Sequence, residues 1–240
     1  MKNKIILKRK NKEEIKKILS DNNKKIFNFL NLYSVYLFNK NSEFRNALIK
    51  TEKNCINFAD GFPIAFYLKT PRIRGTDFTK FVLSDKRLSG NKKHFFLGGD
   101  GANEKDITKI AKKFDLPLKN IFYYNPPYIK SYSFPKQEID KILKIINSKK
   151  PDYLWIGLGN PKQEIMSVQL INRAQVKKIF NVGAALDFLS ERKKQAPLFF
   201  RKTGMEWFFR LLTDFKYSSK KVIKSFIGLF YIKKSIELRR

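Results

Sequence analysis

The chain has 240 residues, 42% of them hydrophobic, which is enough to bury a globular core and excludes a wholly disordered polymer. Lysine and arginine number 51 against 21 acids, a formal net charge of +30, so an anionic partner is expected: nucleic acid, a lipid headgroup surface or a phosphorylated ligand. The lone cysteine, Cys55, excludes an internal disulfide and fits a reducing compartment, and with the lone histidine, His94, it excludes a zinc site of the usual kind.

In chain order, Ile5 to Leu7 reads as a short strand, after a start whose apolar run is too short for a secretory signal. Glu13 to Leu19 reads as a helix and Ile26 to Leu30 as a strand, then Leu32 to Phe38 and Glu43 to Ile49 as helices. Cys55 to Ala59 is a strand running into Asp60-Gly61-Phe62-Pro63, with a short helix from Phe62 to Lys69 and another from Gly75 to about Leu83. His94 to Leu97 is a strand ending in Gly98-Gly99, followed by a helix from Glu104 to Phe114, a strand from Asn120 to Tyr124 and a helix from Gln137 to Asn147. Asp152 to Ile156 is a β-branched and aromatic strand that runs into Gly157-Leu158-Gly159-Asn160-Pro161. There Asn160 is placed as a helix cap, Pro161 as the first helical residue, and Gln163 and Glu164 in the first turn facing a crevice. Lys178 to Val182 is the last strand, followed by Gly183 and by Asp187 in an otherwise apolar run.

Strands alternating with helices at this spacing imply an α/β fold, a mostly parallel sheet with helices on both faces. Ligands of such sheets sit beyond the carboxyl ends of the strands, where Asp60, Gly98, Gly99, Gly157, Gly159 and Gly183 all fall. The strand–glycine–helix turn at Gly157 suits a phosphate, or is a tight turn without a ligand. Asp60 is placed to take a proton from a hydroxyl nucleophile, and equally reads as an Asp-Gly turn former. Arg72 and Arg74 offer forked donors to a diphosphate, and Asp187 reads as a bonded core acid or a crevice group. No Walker loop, complete dinucleotide fingerprint or Gly-x-Ser-x-Gly elbow is present. The segment from about residue 204 differs: Trp207, Phe208, Leu211 and Leu212 recur at helical spacing, and Val222 to Ile232 is largely apolar between lysine pairs. It is too short to span a bilayer but suited to lie in an anionic interface, or to pack on the domain with a solvated basic rim.

Seven blocks follow one another in order: Asp60-Gly61-x-Pro63, Arg72-x-x-Gly75-x-Asp77, Phe96-Leu-Gly-Gly99, Gly157-x-Gly-Asn-Pro-Lys-Gln-Glu164, Val182-Gly-Ala-Ala-x-Asp187, Ala196-Pro197 and Gly204-x-Glu-Trp-x-x-Arg210. Over roughly residues 26 to 212 they resemble the WecG/TagA/CpsF family of bacterial glycosyltransferases. The resemblance implies a Rossmann-like core over 1–203 and a basic, helical, membrane-associating appendage over 204–240. It implies inverting, metal-independent and cofactor-free transfer of N-acetylmannosamine or a related sugar from a UDP-sugar to an undecaprenyl-diphosphate-linked sugar, for a surface polysaccharide or wall polymer. The implied location is cytoplasmic, peripheral at the inner face of the cell membrane. By position, Asp60 matches the catalytic base, Asn31 a substrate-side asparagine, Arg72 the arginine before Gly-x-Asp, Gln163 the crevice glutamine and Arg210 the first basic residue of the appendage.

The sequence departs from the family where some members carry threonine, here Phe29, and where Phe215, Tyr217 and Lys220 replace a proline and two arginines. A nucleic-acid-binding protein is the rival reading, motivated by the charge and by 23 phenylalanines, most of which fall in predicted core elements. An inactive membrane-bound scaffold of the same fold is the third. A chain cut near residue 203 is expected to stay folded and lose membrane binding.

Overall fold

The computed structural model describes residues 4–99, 101–213 and 215–239. Its strands are β1 (Ile5–Lys8), β2 (Lys25–Leu30), β3 (Cys55–Ala59), β4 (His94–Gly98), β5 (Ile121–Tyr124), β6 (Tyr153–Gly157), β7 (Lys178–Asn181) and β8 (Ile236–Arg239). Six of them form one sheet in the order β3-β2-β7-β6-β4-β5, and every pairing in it is parallel. The expected α/β architecture is therefore present, and β2, β3, β4, β6 and β7 are nearly continuous buried runs, as a sheet covered on both faces requires.

The two faces carry different cores. One is aromatic: Phe27, Phe58, Phe78, Trp155 and Phe180 pack together, with Trp155 and Phe180 stacked at 4.2 Å. The helices Lys12–Ser20, Gly75–Ser84 and Glu104–Lys113 contribute Ile15, Val82 and Ile110 to it. The other face is aliphatic, with Ile26, Leu154, Ile156 and Ile179 under the helices Lys136–Lys149 and Lys162–Ile171. Phe29 lies in the aromatic layer 5.1 Å from Phe78 and 5.8 Å from Phe58.

Polar groups inside this sheet are matched. Asn181 Nδ2 donates to Asn28 Oδ1 at 2.6 Å, Asn28 Nδ2 to Asn57 Oδ1 at 2.8 Å, and Asn57 Nδ2 to the Ile6 carbonyl at 2.8 Å. Lys178 is fully buried along its side chain, and its ammonium meets Asp21 Oδ1 and the Asp21 and Asn23 carbonyls. His94 is a core residue: Trp155 Nε1 donates to its Nδ1 at 3.1 Å, which leaves the proton on Nε2, donated to the Ser89 carbonyl at 3.1 Å.

Burial pushes His94 down to about 4, so the unfolded chain binds more protons than the folded one between about pH 4 and 6.5. Its contribution to stability is complete above pH 6.5 and is lost as pH falls through that window, roughly 3 kcal/mol in all. In urea titrations His94→Gln is expected to remove that rise with pH. An unchanged pH profile would show that His94 is not held neutral.

Beyond Ala196 the chain forms the helices Leu198–Thr203, Glu206–Thr213, Phe215–Leu229 and Ile232–Ser235, and then β8. The segment after residue 203 reads from sequence as a helical appendage, yet it closes back on the domain. Strand β8 pairs in parallel with β1, Ile5 opposite Ile236 and Leu7 opposite Leu238. Ile232 and Ile236 join Ile5, Leu7, Val35, Phe38 and Phe44 in a third buried cluster. Helix Phe215–Leu229 crosses helix Leu32–Lys40 at Gly228, where a Cβ would stand 2.2 Å from the Leu32 carbonyl oxygen. Only glycine permits that approach.

Candidate active site

The chain leaves β4 toward β5 and leaves β6 in the opposite direction toward β7, so the switch point of the sheet lies between β4 and β6. Crevices form outside the carboxyl ends at such points. Gly98 and Gly157 face each other there in register, at the ends of the two strands. Gly98 has φ +79° and Gly99 φ +114°, and a Cβ on Gly157 would meet Leu186 at 2.7 Å, so side chains are excluded from this edge.

Around this edge the turns touch one another. The amide of Gly183, after β7, donates to Gln163 Oε1 at 2.9 Å, and a Cβ on Gly183 would lie 4.0 Å from the Cα of Gly159. Gln163 Nε2 donates to Glu164 Oε1 at 2.9 Å and to the Asn181 carbonyl at 3.2 Å. Gln163 and Glu164, expected to face the crevice, are both buried, and the Gln163 carboxamide is the clasp that holds the β6 and β7 turns together.

Asn160 differs from its expected role too. The helix begins at Lys162 with Pro161 as its cap and no side-chain capping bond. Asn160 instead donates from Nδ2 to Ser34 Oγ at 2.9 Å. Asn31 caps the helix Leu32–Lys40 by accepting from the Ser34 amide at 3.3 Å, so Asn31 and Asn160 are bridged through Ser34. A Cβ on Gly61 would lie 3.2 Å from the Asn31 Cβ, which puts Asp60-Gly61 against the same corner.

Asp60 stands just past β3, its amide donating to the Leu30 carbonyl at 2.9 Å. The chain then returns, Ile73 donating to the Ala59 carbonyl at 2.9 Å, and brings Arg72 beside it. Arg72 Nε donates to the Asp60 carbonyl, Nη1 to the Arg201 carbonyl at 2.9 Å and Nη2 to Glu206 Oε2 at 3.2 Å. Arg74 Nη1 donates to Glu206 Oε1 at 2.6 Å and its Nε to Asp77 Oδ2 at 2.6 Å. A carboxylate, two guanidinium forks and two glycine turns thus share one sheet edge. That is the equipment to deprotonate a hydroxyl and neutralise a departing phosphate.

Asp187 is buried, 3.7 Å from Arg192 and 3.8 Å from Lys193, and Arg192 also pairs with Asp106 at 3.5 Å beside Gly101. The side chain of Arg210 lies outside the described residues. Among the described residues no three His, Cys, Asp or Glu side chains converge to hold a metal ion.

Sequence reasoning missed Ser34, whose Asn-x-x-Ser spacing is a cap signal, and Glu206, whose partners are more than a hundred positions away. It also missed the state of Glu164, which burial pushes up to about 7. An acid raised in this way stabilises the fold fully below its unfolded value, and the contribution is lost as pH rises through about 7. Glu164→Gln is therefore expected to leave stability unchanged near pH 4.5 and to raise it above pH 7, the opposite slope to that of His94. Thermal melts at the two pH values check this, and equal melting shifts at both would overturn it.

A model described as the glycosyl transferase WecG/TagA/CpsF family matches residues 8–239. An N-acetylglucosaminyldiphosphoundecaprenol N-acetyl-beta-D-mannosaminyltransferase of Staphylococcus aureus strain MRSA252 is 35% identical over 94 residues, 39% of this chain and 37% of that protein. The protein of the same name from strain NCTC 8325 is 34% identical over the same shares of each chain. The matches thus span well under half the length of these curated relatives.

Proposed function

The chain belongs to the WecG/TagA/CpsF glycosyltransferase family, and on that premise we propose that it moves N-acetylmannosamine or a related sugar from a UDP-sugar to an undecaprenyl-diphosphate-linked sugar. The observation that carries the reading is that Arg72 holds the Asp60 carbonyl at the carboxyl edge of β3 and is joined to Arg74 through Glu206, which puts a carboxylic acid residue and two guanidinium forks at one corner. Asp60 takes the proton of the acceptor hydroxyl as its oxygen bonds to the anomeric carbon. The bond from that carbon to the diphosphate oxygen breaks, with inversion, and UDP leaves with the electron pair. Arg72, Arg74 and the amides of the Gly157–Gly159 turn stabilise the diphosphate in the role a metal ion fills elsewhere, while the Gly183 amide, engaged by Gln163, holds the neighbouring turn in place. The test is UDP release from a panel of UDP-sugars with a lipid-diphosphate-sugar acceptor in EDTA. One donor turned over in EDTA supports the reading, and turnover of none by folded protein refutes it.

The acceptor's lipid calls for a surface beside Asp60, and an aromatic one lies there. Helix Phe62–Tyr67, which leaves Asp60 directly, exposes Phe62, Phe66 and Tyr67, with Phe66 75% exposed. Gly204 packs on Phe62, and the rings of Phe199, Phe200, Phe208, Trp207 and Phe226 touch in succession from there. The same segment carries Lys202, Lys220, Lys221 and Lys224, the last two over the Tyr33 and Tyr36 rings, and this charge suits an anionic bilayer. No helix among the described residues is long and apolar enough to cross a membrane. On this reading residues 204–240, with the helix after Asp60, are the membrane-contacting part. Phe62→Ser with Phe66→Ser is expected to weaken co-flotation with anionic liposomes by about tenfold or more. Unchanged flotation would remove helix Phe62–Tyr67 from the contact.

A further inference from the structure

The Glu206 carboxylate stands where an anionic ligand of Arg72 and Arg74 would stand. Its Oε2 receives Arg72 Nη2 at 3.2 Å and its Oε1 receives Arg74 Nη1 at 2.6 Å, so one carboxylate bridges both guanidinium forks. Both forks are also held without it: Arg72 by the Asp60 and Arg201 carbonyls, Arg74 by Asp77. The pair therefore keeps its shape if Glu206 leaves. Glu206 sits in the first turn of helix Glu206–Thr213, two residues after Gly204, whose φ of +77° marks a reversal of the chain. The three side chains keep 15–23% of their surface in solvent, so the bridge is reachable by an ion from outside.

We propose that Glu206 is an internal ligand of the Arg72–Arg74 pair and is exchanged for the substrate diphosphate. The inference rests on the reading that a diphosphate occupies these arginines, and adds what occupies them in its absence. A carboxylate brings one negative charge and two acceptor oxygens. A diphosphate brings at least two charges and more acceptors to the same donors, so it displaces the weaker ligand. Exchange links occupancy of the crevice to the C-terminal helices. With Glu206 seated, helix Glu206–Thr213 is tied to the corner beside Asp60; with diphosphate seated, that tie is cut and the helix is free to shift against helix Phe215–Leu229.

Tryptophan fluorescence of the full chain reads this out, because the chain has two tryptophans and they differ in kind. Trp155 is fully buried in the sheet, whereas Trp207 adjoins Glu206, is 41% exposed and packs edge-on against Phe226 at 5.5 Å. The probes are inorganic pyrophosphate and UDP. In the unsubstituted protein each is expected to shift the emission to a saturating limit. Glu206→Gln is expected to start near that limit and to half-saturate, followed by calorimetry, at a pyrophosphate concentration at least about tenfold lower, since no charged competitor has to leave. Arg74→Gln is expected to weaken binding by about tenfold or more. Glu206→Asp keeps the charge on a shorter arm and is expected to fall between the original and Glu206→Gln, which preserves the test if Glu206→Gln does not fold. Equal or weaker binding to Glu206→Gln or Glu206→Asp overturns the exchange and makes Glu206 a fixed support for the arginines. Binding of neither probe to any of these proteins overturns the exchange together with the diphosphate reading of the arginines, whereas binding without exchange leaves that reading standing.

Discussion

Asp60→Asn is expected to slow UDP release from the preferred donor by about 10²–10⁴-fold, the usual range for loss of a general base. The substitution is close to isosteric, and main-chain bonds help to fix this corner: the Asp60 amide holds Leu30, and its carbonyl holds Arg72. Stability is therefore expected to change by no more than about 1 kcal/mol. The fall should lie in kcat with little change in the KM for the donor, because the diphosphate donors stay in place. Steady-state kinetics with a fixed acceptor check this. Turnover that survives the substitution would keep the transferase and remove Asp60 as its base.

The second large effect concerns the chain after residue 203. A chain ending at Thr203 loses the partner strand of β1, the Ile232 and Ile236 side chains, and the helix that covers Leu32–Lys40. Losing one large buried aliphatic side chain costs about 2–5 kcal/mol, so this deletion is expected to cost more than about 4 kcal/mol and to give an insoluble or partly unfolded product. The expectation from sequence alone, that such a chain stays folded, rested on treating the segment as a helical attachment. Gly228→Ala is the finer probe: a methyl group 2.2 Å from the Leu32 carbonyl forces the helices apart, at a cost of about 1–3 kcal/mol in urea titration. A truncated chain that melted at the temperature of the full one would make the closing strand dispensable.

What was legible in the sequence was local. Buried parallel strands are continuous apolar runs, and the runs at Cys55, His94 and Tyr153 stand out against the helices between them. The glycines at the strand ends and the acid at position 60 follow from the same reading, because strand ends on one edge share one crevice. What was not legible is long-range. Strand β8 is Ile-Glu-Leu-Arg, which alone resembles a charged tail, and it becomes a strand because β1, more than two hundred residues earlier, offers an edge. Gln163, expected to face the crevice from the first turn of its helix, is buried, and the Gly183 amide that engages it comes from the next strand's turn. Nothing near Glu206 announces the arginines it joins.

The chain of asparagines through β7, β2 and β3 bears on how the molecule assembles. In a strand, side chains alternate between faces, so shifting one strand by a single residue carries its carboxamide into the opposite layer. Here the layer beside these strands is built from Phe27, Phe58, Phe180 and Trp155, rings that do not replace the carboxamide partners a shifted strand would leave. Each misplaced carboxamide would cost on the order of 1–3 kcal/mol, while its abandoned neighbours would lose their bonds as well. Aliphatic strands slide past one another with little to tell right from wrong. These three are proofread, and only one alignment closes every bond from Asn181 to Ile6.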